Sequence, residues 1–180
     1  MSKIEEAIAP IKATILSGRV LAIDPSSGSK ESMPGYCLFE AGKFVDSGTI
    51  RIEYRQSLQL RLYSLRDTLQ REFVPEKPDV LVVENIAPMF GGADGRSFGA
   101  TKSVLSLHKS VGVTISCFNC PLVEVSPMSW RKQIPNGYLK SDESDAIMMA
   151  LTVLKIASGF KEFPITPELI HKLTTGSWKK

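Results

Sequence analysis

Asp142 and Asp145 stand three residues apart in the stretch 140–154, which opens on acids and continues as an apolar helical pattern. That spacing puts both on one helical face and rotates Glu143 away from them. Ser141 is a good N-cap, and acids suit a first turn because unpaired N–H groups and the helix dipole stabilise negative charge. Ala146, Met149, Ala150 and Val153 continue the aspartate face into an expected core contact. Two carboxylates this close repel each other unless a cation or solvent relieves them. On this stretch alone the plainer reading, a well-capped and solvated helix start, is favoured. Two other acids change the balance. Arg19–Asp24 and Asp79–Glu84 are apolar runs that each finish on a carboxylate. Taken singly, Asp24 reads as a turn residue and Glu84 as a partner for a lysine. If the two runs are parallel, neighbouring strands, their C-terminal ends share the edge where sites in open α/β sheets gather. A helix start packed beside that edge brings Asp24, Glu84, Asp142 and Asp145 together. Such an all-oxygen set suits Mg²⁺ or Mn²⁺ rather than zinc. Two such ions, roughly 3.5–4 Å apart, activate a water and stabilise the leaving oxygen of a phosphodiester.

The elements needed to position these acids can be read in order. Residues 3–17 suggest a short amphipathic helix with Ile4, Ile8, Ile11 and Ile15 on one side, bent or shortened by Pro10. After Arg19–Asp24 and a Pro/Ser/Gly turn come strands over 34–40 and 43–52, joined by a tight Ala41-Gly42 hairpin. Leu58, Leu62, Leu65, Leu69 and Phe73 recur at helical spacing, which predicts a helix over 56–73 ended by Pro75 and Pro78. The continuous apolar run of 79–84 predicts a strand covered on both faces. A long glycine-rich loop, 85–99, precedes a helix over 101–117, a strand over 122–126, the segment 127–138 and the acidic helix. A Thr166-capped helix over 167–173 and a basic tail follow. One domain over 19–180, with 1–18 as an N-terminal extension, accounts for the chain.

The chain has 180 residues, 43% of them hydrophobic and 23% charged, which fits one globular domain with a real core and argues against disorder. Its net charge of +3 is mild. The distribution is less even: between Gly95 and Ser141, six basic residues face the single acid Glu124. A basic middle beside an acidic helix start calls for a partner. Three cysteines, no apolar leader in 1–17 and no run of membrane-spanning length lead to the expectation of a reduced, cytoplasmic protein without a membrane partner.

Taken together, Leu21-Ala-Ile-Asp24-Pro-Ser, Pro78-Asp-Val-Leu-Val-Val-Glu84-Asn and Asp142-Glu-Ser-Asp145-Ala resemble the RuvC-type Holliday junction resolvases of the RNase H-like superfamily. Arg61-Leu62 and the segment 127–133 also sit where similar residues occur in that family. The resemblance spans roughly 19–157 and includes the element order. It implies an α/β, RNase H-like fold, with a five-stranded mixed sheet flanked by helices. It also implies a homodimer and Mg²⁺-dependent paired nicking of four-way DNA junctions, Mn²⁺ substituting, with Asp24, Glu84, Asp142 and Asp145 as the metal-binding catalytic acids. A long glycine-rich loop after Glu84 and a short connection from Trp130 to Asp142 fit a phage or viral member of that family, working in the host cytoplasm.

Phosphate contacts need basic side chains around the metal edge. The candidates are Lys102 and Lys109 on the helix after the glycine loop, and Arg131, Lys132 and Lys140 flanking the acidic helix, set against their being ordinary solvated charges. Met89 and Phe90 either wedge between unstacked bases or bury in the core or a dimer interface. Trp130 reads as a packing anchor, His108 and His171 as ordinary histidines, and Cys117 and Cys120 as free thiols rather than a zinc pair. Two other readings compete with a branched-DNA nuclease. The Asp24-Pro-Ser-Ser-Gly-Ser-Lys30 turn superficially resembles the phosphate turn of actin and sugar kinases, which need two such domains. A non-catalytic junction-binding protein could keep the fold, but has no use for the acid set.

Overall fold

The computed structural model describes residues 2–25, 33–52, 57–85, 100–131, 141–159, 169 and 171, without the side chains of 100–103. Five strands form one sheet: β1 (Arg19–Asp24), β2 (Gly35–Glu40), β3 (Lys43–Thr49), β4 (Val80–Glu84) and β5 (Leu122–Val125). They lie in the order β3-β2-β1-β4-β5. β1, β2 and β3 pair antiparallel, while β4 is parallel to β1 and β5 parallel to β4. This is the five-stranded mixed sheet expected from the sequence, with the two acid-ended strands as parallel neighbours. The hairpin between β2 and β3 turns through Ala41 and Gly42, whose φ angles of 47° and 72° are those of a type I′ turn.

Strand alternation sorts the core into two layers. Val20 and Ala22 of β1, Cys37 and Phe39 of β2, Val80 and Val82 of β4, and Val123 and Val125 of β5 point to one face. Covering them are α1 (Lys3–Ile8), α2 (Lys12–Ser17) and α6 (Asp142–Ala157). Leu21, Ile23, Leu81 and Val83 point to the other face, under α3 (Leu58–Thr68) and α4 (Ala100–Ser116). Pro10 splits the first helix as expected: α1 and α2 are joined by a 3₁₀ turn over Ala9–Ile11, with Ile8 and Ile15 buried against the α6 layer. α6 is buried almost all round, with thirteen of its sixteen residues inside. It lies across β1 and β2, so its sequence carries core on several sides rather than one stripe.

The helix expected over 56–73 is different in detail. α3 ends at Thr68, and the chain continues as a π turn over Leu69–Phe73 and a 3₁₀ turn over Val74–Glu76. Pro75 therefore does not stop the helical path but sits inside its last turn, where a missing N–H costs little. Lys77, in the left-handed conformation with φ 48°, ends it. The strand expected from Asp79 begins at Val80, and the Asp79 carboxylate just before it accepts the Arg19 backbone N–H at 2.8 Å. Of the expected helix over 167–173, Leu169 and His171 are described, and Leu169 is buried in the α6 layer.

Candidate metal and nuclease site

Alternation also decides which way the acids face. Asp24 follows Val20 and Ala22 on β1, and Glu84 follows Val80 and Val82 on β4, so both carboxylates belong to the face covered by α6. In the parallel register Ile23 lies opposite Val83, which brings Asp24 and Glu84 to neighbouring positions at the C-terminal edge. α6 starts at that edge. Ser141 caps it by accepting the Ser144 N–H at 3.1 Å, and Asp142, Glu143 and Asp145 all fall in the first turn.

The helix start is held in place by contacts that the spacing of the acids does not reveal. Gly35, opposite Asp24 on β2, is packed so closely that a Cβ there would lie 2.0 Å from the Asp142 carbonyl oxygen and 2.3 Å from the Glu143 nitrogen. Only a residue without a side chain permits this backbone-on-backbone contact. Glu143, turned away from Asp142 and Asp145, accepts a hydrogen bond from Ser47 Oγ of β3 at 2.7 Å and is 3% exposed. The plainer alternative of a solvated helix start does not hold: Glu143, Ser144 and Asp145 are all buried. Glu143→Ala is expected to cost about 1.5–3 kcal/mol, the range for a hydrogen bond to a charged group. Glu143→Gln, which still accepts from Ser47, should cost clearly less, and thermal denaturation of the two variants measures the difference.

The electrostatics tie the four acids into one neighbourhood. Burial pushes the Asp24 carboxyl well above the ordinary carboxylate range, and the charges of Glu84, Asp142 and Asp145 push it further. Burial likewise raises Glu84, with Asp145 and Asp142 adding to the shift. The opposing influence on both comes from Arg131, at the end of α5 (Pro127–Arg131), whose guanidinium lies 5.1 Å from the centre of the Trp130 ring. Trp130 is 1% exposed and fills the core beneath it, as a packing anchor should. Among the described residues, no three His, Cys, Asp or Glu side chains are drawn in tightly enough to hold an ion as they stand. The donor chemistry nonetheless fits a hard divalent cation, being entirely carboxylate oxygen with Arg131 at its border.

The other expected site residues are distributed less evenly. Arg131 is exposed and borders the acids, and Lys109 is exposed on α4. The side chain of Lys102, and Met89, Phe90, Lys132 and Lys140 entirely, lie outside the described residues. Gly35, Ser47 and Glu143 are the positioning residues that the sequence reading missed. For Glu143 a signal existed: Ile147, Ala150 and Leu154 follow it at helical spacing, so it heads an apolar stripe. For Gly35 there was none.

No family model matches the chain. The crossover junction endodeoxyribonuclease RuvC of Syntrophomonas wolfei is 29% identical over 153 residues, covering 81% of this chain and 78% of that protein. The chain is similar to that RuvC over most of both lengths. Solved structures that resemble this RuvC-like chain include RuvC of Thermus thermophilus in complex with a Holliday junction substrate. That likeness covers 88% of this chain and 90% of that one, at 14% identity and a TM-score of 0.46. The yeast mitochondrial Holliday junction resolvase Ydc2 matches 98% of this chain and 84% of its own, at 13% identity and a TM-score of 0.45.

Proposed function

We propose that this RuvC relative is a metal-dependent endonuclease that resolves four-way DNA junctions by paired phosphodiester nicks. The observation that carries this reading is the pairing of Asp24 and Glu84 on adjacent parallel strand ends, facing Asp142 and Asp145, in a RuvC-related sequence. The four carboxylates would hold Mg²⁺, with Mn²⁺ as a substitute. Bound there, divalent ions supply an activated water and neutralise the leaving oxygen. Asp24 and Asp145, 7% and 8% exposed, are the deeper acids and fix the inner wall of the site. Glu84 and Asp142, only partly buried, face the side from which a phosphodiester arrives. Arg131 offsets the acids' charge, so that a polyanion can approach without meeting bare negative potential. Lys102, Lys109, Lys132 and Lys140 are the further phosphate contacts of this reading, and Met89 and Phe90 the side chains that would insert among the bases at the branch.

Cuts in opposite strands of a four-way junction require two sites related by a two-fold axis, which a homodimer supplies. Apolar side chains on the α3–α4 layer, Leu60 at 50% and Leu105 at 54% exposed, support an interface there. No helix among the described residues is long and apolar enough to cross a membrane. The setting proposed for this activity is the cytoplasm. The deciding test is a nicking assay on four-way, Y-shaped and flap DNAs, each strand labelled in turn, with Mg²⁺, Mn²⁺ or a chelator. Symmetric cuts in opposing strands of the four-way junction, dependent on the ion, are expected. Cutting without a divalent ion, or none with either ion, overturns the reading.

A further inference from the structure

One charged group on α3 has no role in the chemistry above. The Nε of Arg61 on α3 is buried and has no hydrogen-bond partner, and no ion pair among the described residues involves Arg61. An unsatisfied buried donor is costly, and more so on a charged group, so its presence needs a reason. Arg61 shares its helix face with Leu65 and Thr68, four and seven residues on, both buried. Leu65 packs in the layer formed by Leu21, Ile23, Leu81 and Val83.

The direction of α3 follows from its far end. Arg19, which opens β1, donates from Nη1 to the Glu76 carbonyl at 2.9 Å, so the chain after α3 returns to the start of β1. α3 therefore runs antiparallel to β1, with its first turn towards the C-terminal ends of β1 and β4. Its eleven residues rise roughly 16 Å, about the length of a six-residue strand. Helical side chains lean towards the N-terminus. Arg61 consequently projects from the Leu65 layer towards the edge that carries Asp24 and Glu84, but on the opposite face of the sheet. The cation that offsets those acids is Arg131.

We propose that Arg61 is a phosphate-binding residue, gripping a backbone phosphate of the DNA strand that crosses this edge, on the α3 side and away from the acids. A guanidinium suits the place: it tolerates a half-buried stem, and its planar fork matches phosphate oxygens. This inference rests on the junction-nuclease reading, and it extends the DNA contact to the second face of the sheet.

The test is binding rather than cutting. Dissociation constants for a labelled four-way junction are measured across a range of salt concentrations in a chelator-containing buffer, for the unsubstituted protein, Arg61→Met and Arg61→Lys. Arg61→Met keeps the stem and removes the charge. It should bind roughly tenfold more weakly, with the slope of log affinity against log salt shallower by about 0.9, the value of one lost phosphate contact. Its melting temperature should hold or rise, since a buried unpaired donor is gone. Arg61→Lys should recover most of the slope and part of the affinity. An unchanged slope in Arg61→Met overturns the inference, whatever happens to stability. If the unsubstituted protein does not bind the junction at all, both readings fall together.

Discussion

Asp24→Asn is expected to abolish strand cutting, by more than roughly a hundredfold, while junction binding persists and the metal-free protein becomes more stable. Loss of cutting follows if Asp24 is a metal ligand, since even outer partners of such ligands matter at the tenfold to hundredfold level. The gain in stability follows from the physics of the cluster. Burial, and then the charges of Glu84, Asp142 and Asp145, hold the folded Asp24 carboxyl above its ordinary value of 3.8. A raised folded value means that the fold favours the protonated acid. Its stabilising contribution is full below the unfolded value and is lost as pH climbs through the folded one. At neutral pH the ionised Asp24 therefore costs stability, and the neutral amide removes that cost. Each kcal/mol relieved moves the melting midpoint roughly 2–4 °C in a chain of this size. In chelator, wild-type stability should fall as pH rises from about 4, less so in the variant. Added Mg²⁺ should narrow the gap by offsetting the wild-type charge. A variant that cuts normally, or that melts below the wild type in chelator, would remove Asp24 from the proposed site.

Gly35→Ala should be more damaging than its size suggests. Its methyl group would stand 2.0 Å from the Asp142 carbonyl oxygen, and the obstacle is backbone, which no side-chain rotation clears. Overpacking of this kind costs about 1–3 kcal/mol, occasionally more, or a fall of several degrees in melting temperature. The larger effect is geometric. Relief requires the start of α6 to move away from β2, carrying Asp142 and Asp145 out of alignment with Asp24. A shift of about 1 Å in a catalytic group is enough for roughly a hundredfold loss of rate. Circular dichroism showing a folded, somewhat destabilised protein, together with severely reduced nicking, is the expected pair of results. Normal nicking by a folded Gly35→Ala would mean that the α6 start does not need its close seat on β2.

Much of this arrangement was legible in the sequence, for identifiable reasons. Continuous apolar runs ending at Asp24 and Glu84 marked buried parallel strands, because a strand covered on both faces has no polar side to alternate. The cap at Ser141 and the three-residue spacing of Asp142 and Asp145 marked a helix start with one acidic face. What stayed hidden are contacts between residues distant along the chain. The bond from Ser47 to Glu143 spans 96 residues, and nothing local to either residue announces it. The seat of α6 on Gly35 depends on backbone proximity, which composition does not encode. The π turn at Leu69–Phe73 escaped for another reason: its apolar residues continue the helical rhythm while the hydrogen bonding changes.

The burial of α6 has a dynamic consequence. The helix that presents Asp142 and Asp145 also fills one of the two core layers, so its amides should exchange with deuterium only when the whole domain opens. If Asp142 and Asp145 are the catalytic acids proposed above, a helix built this way gives their site no private low-energy excursion through which activity can be switched. Control of cutting must then come from outside the domain's own breathing, through what assembles on it and which DNA shape it meets.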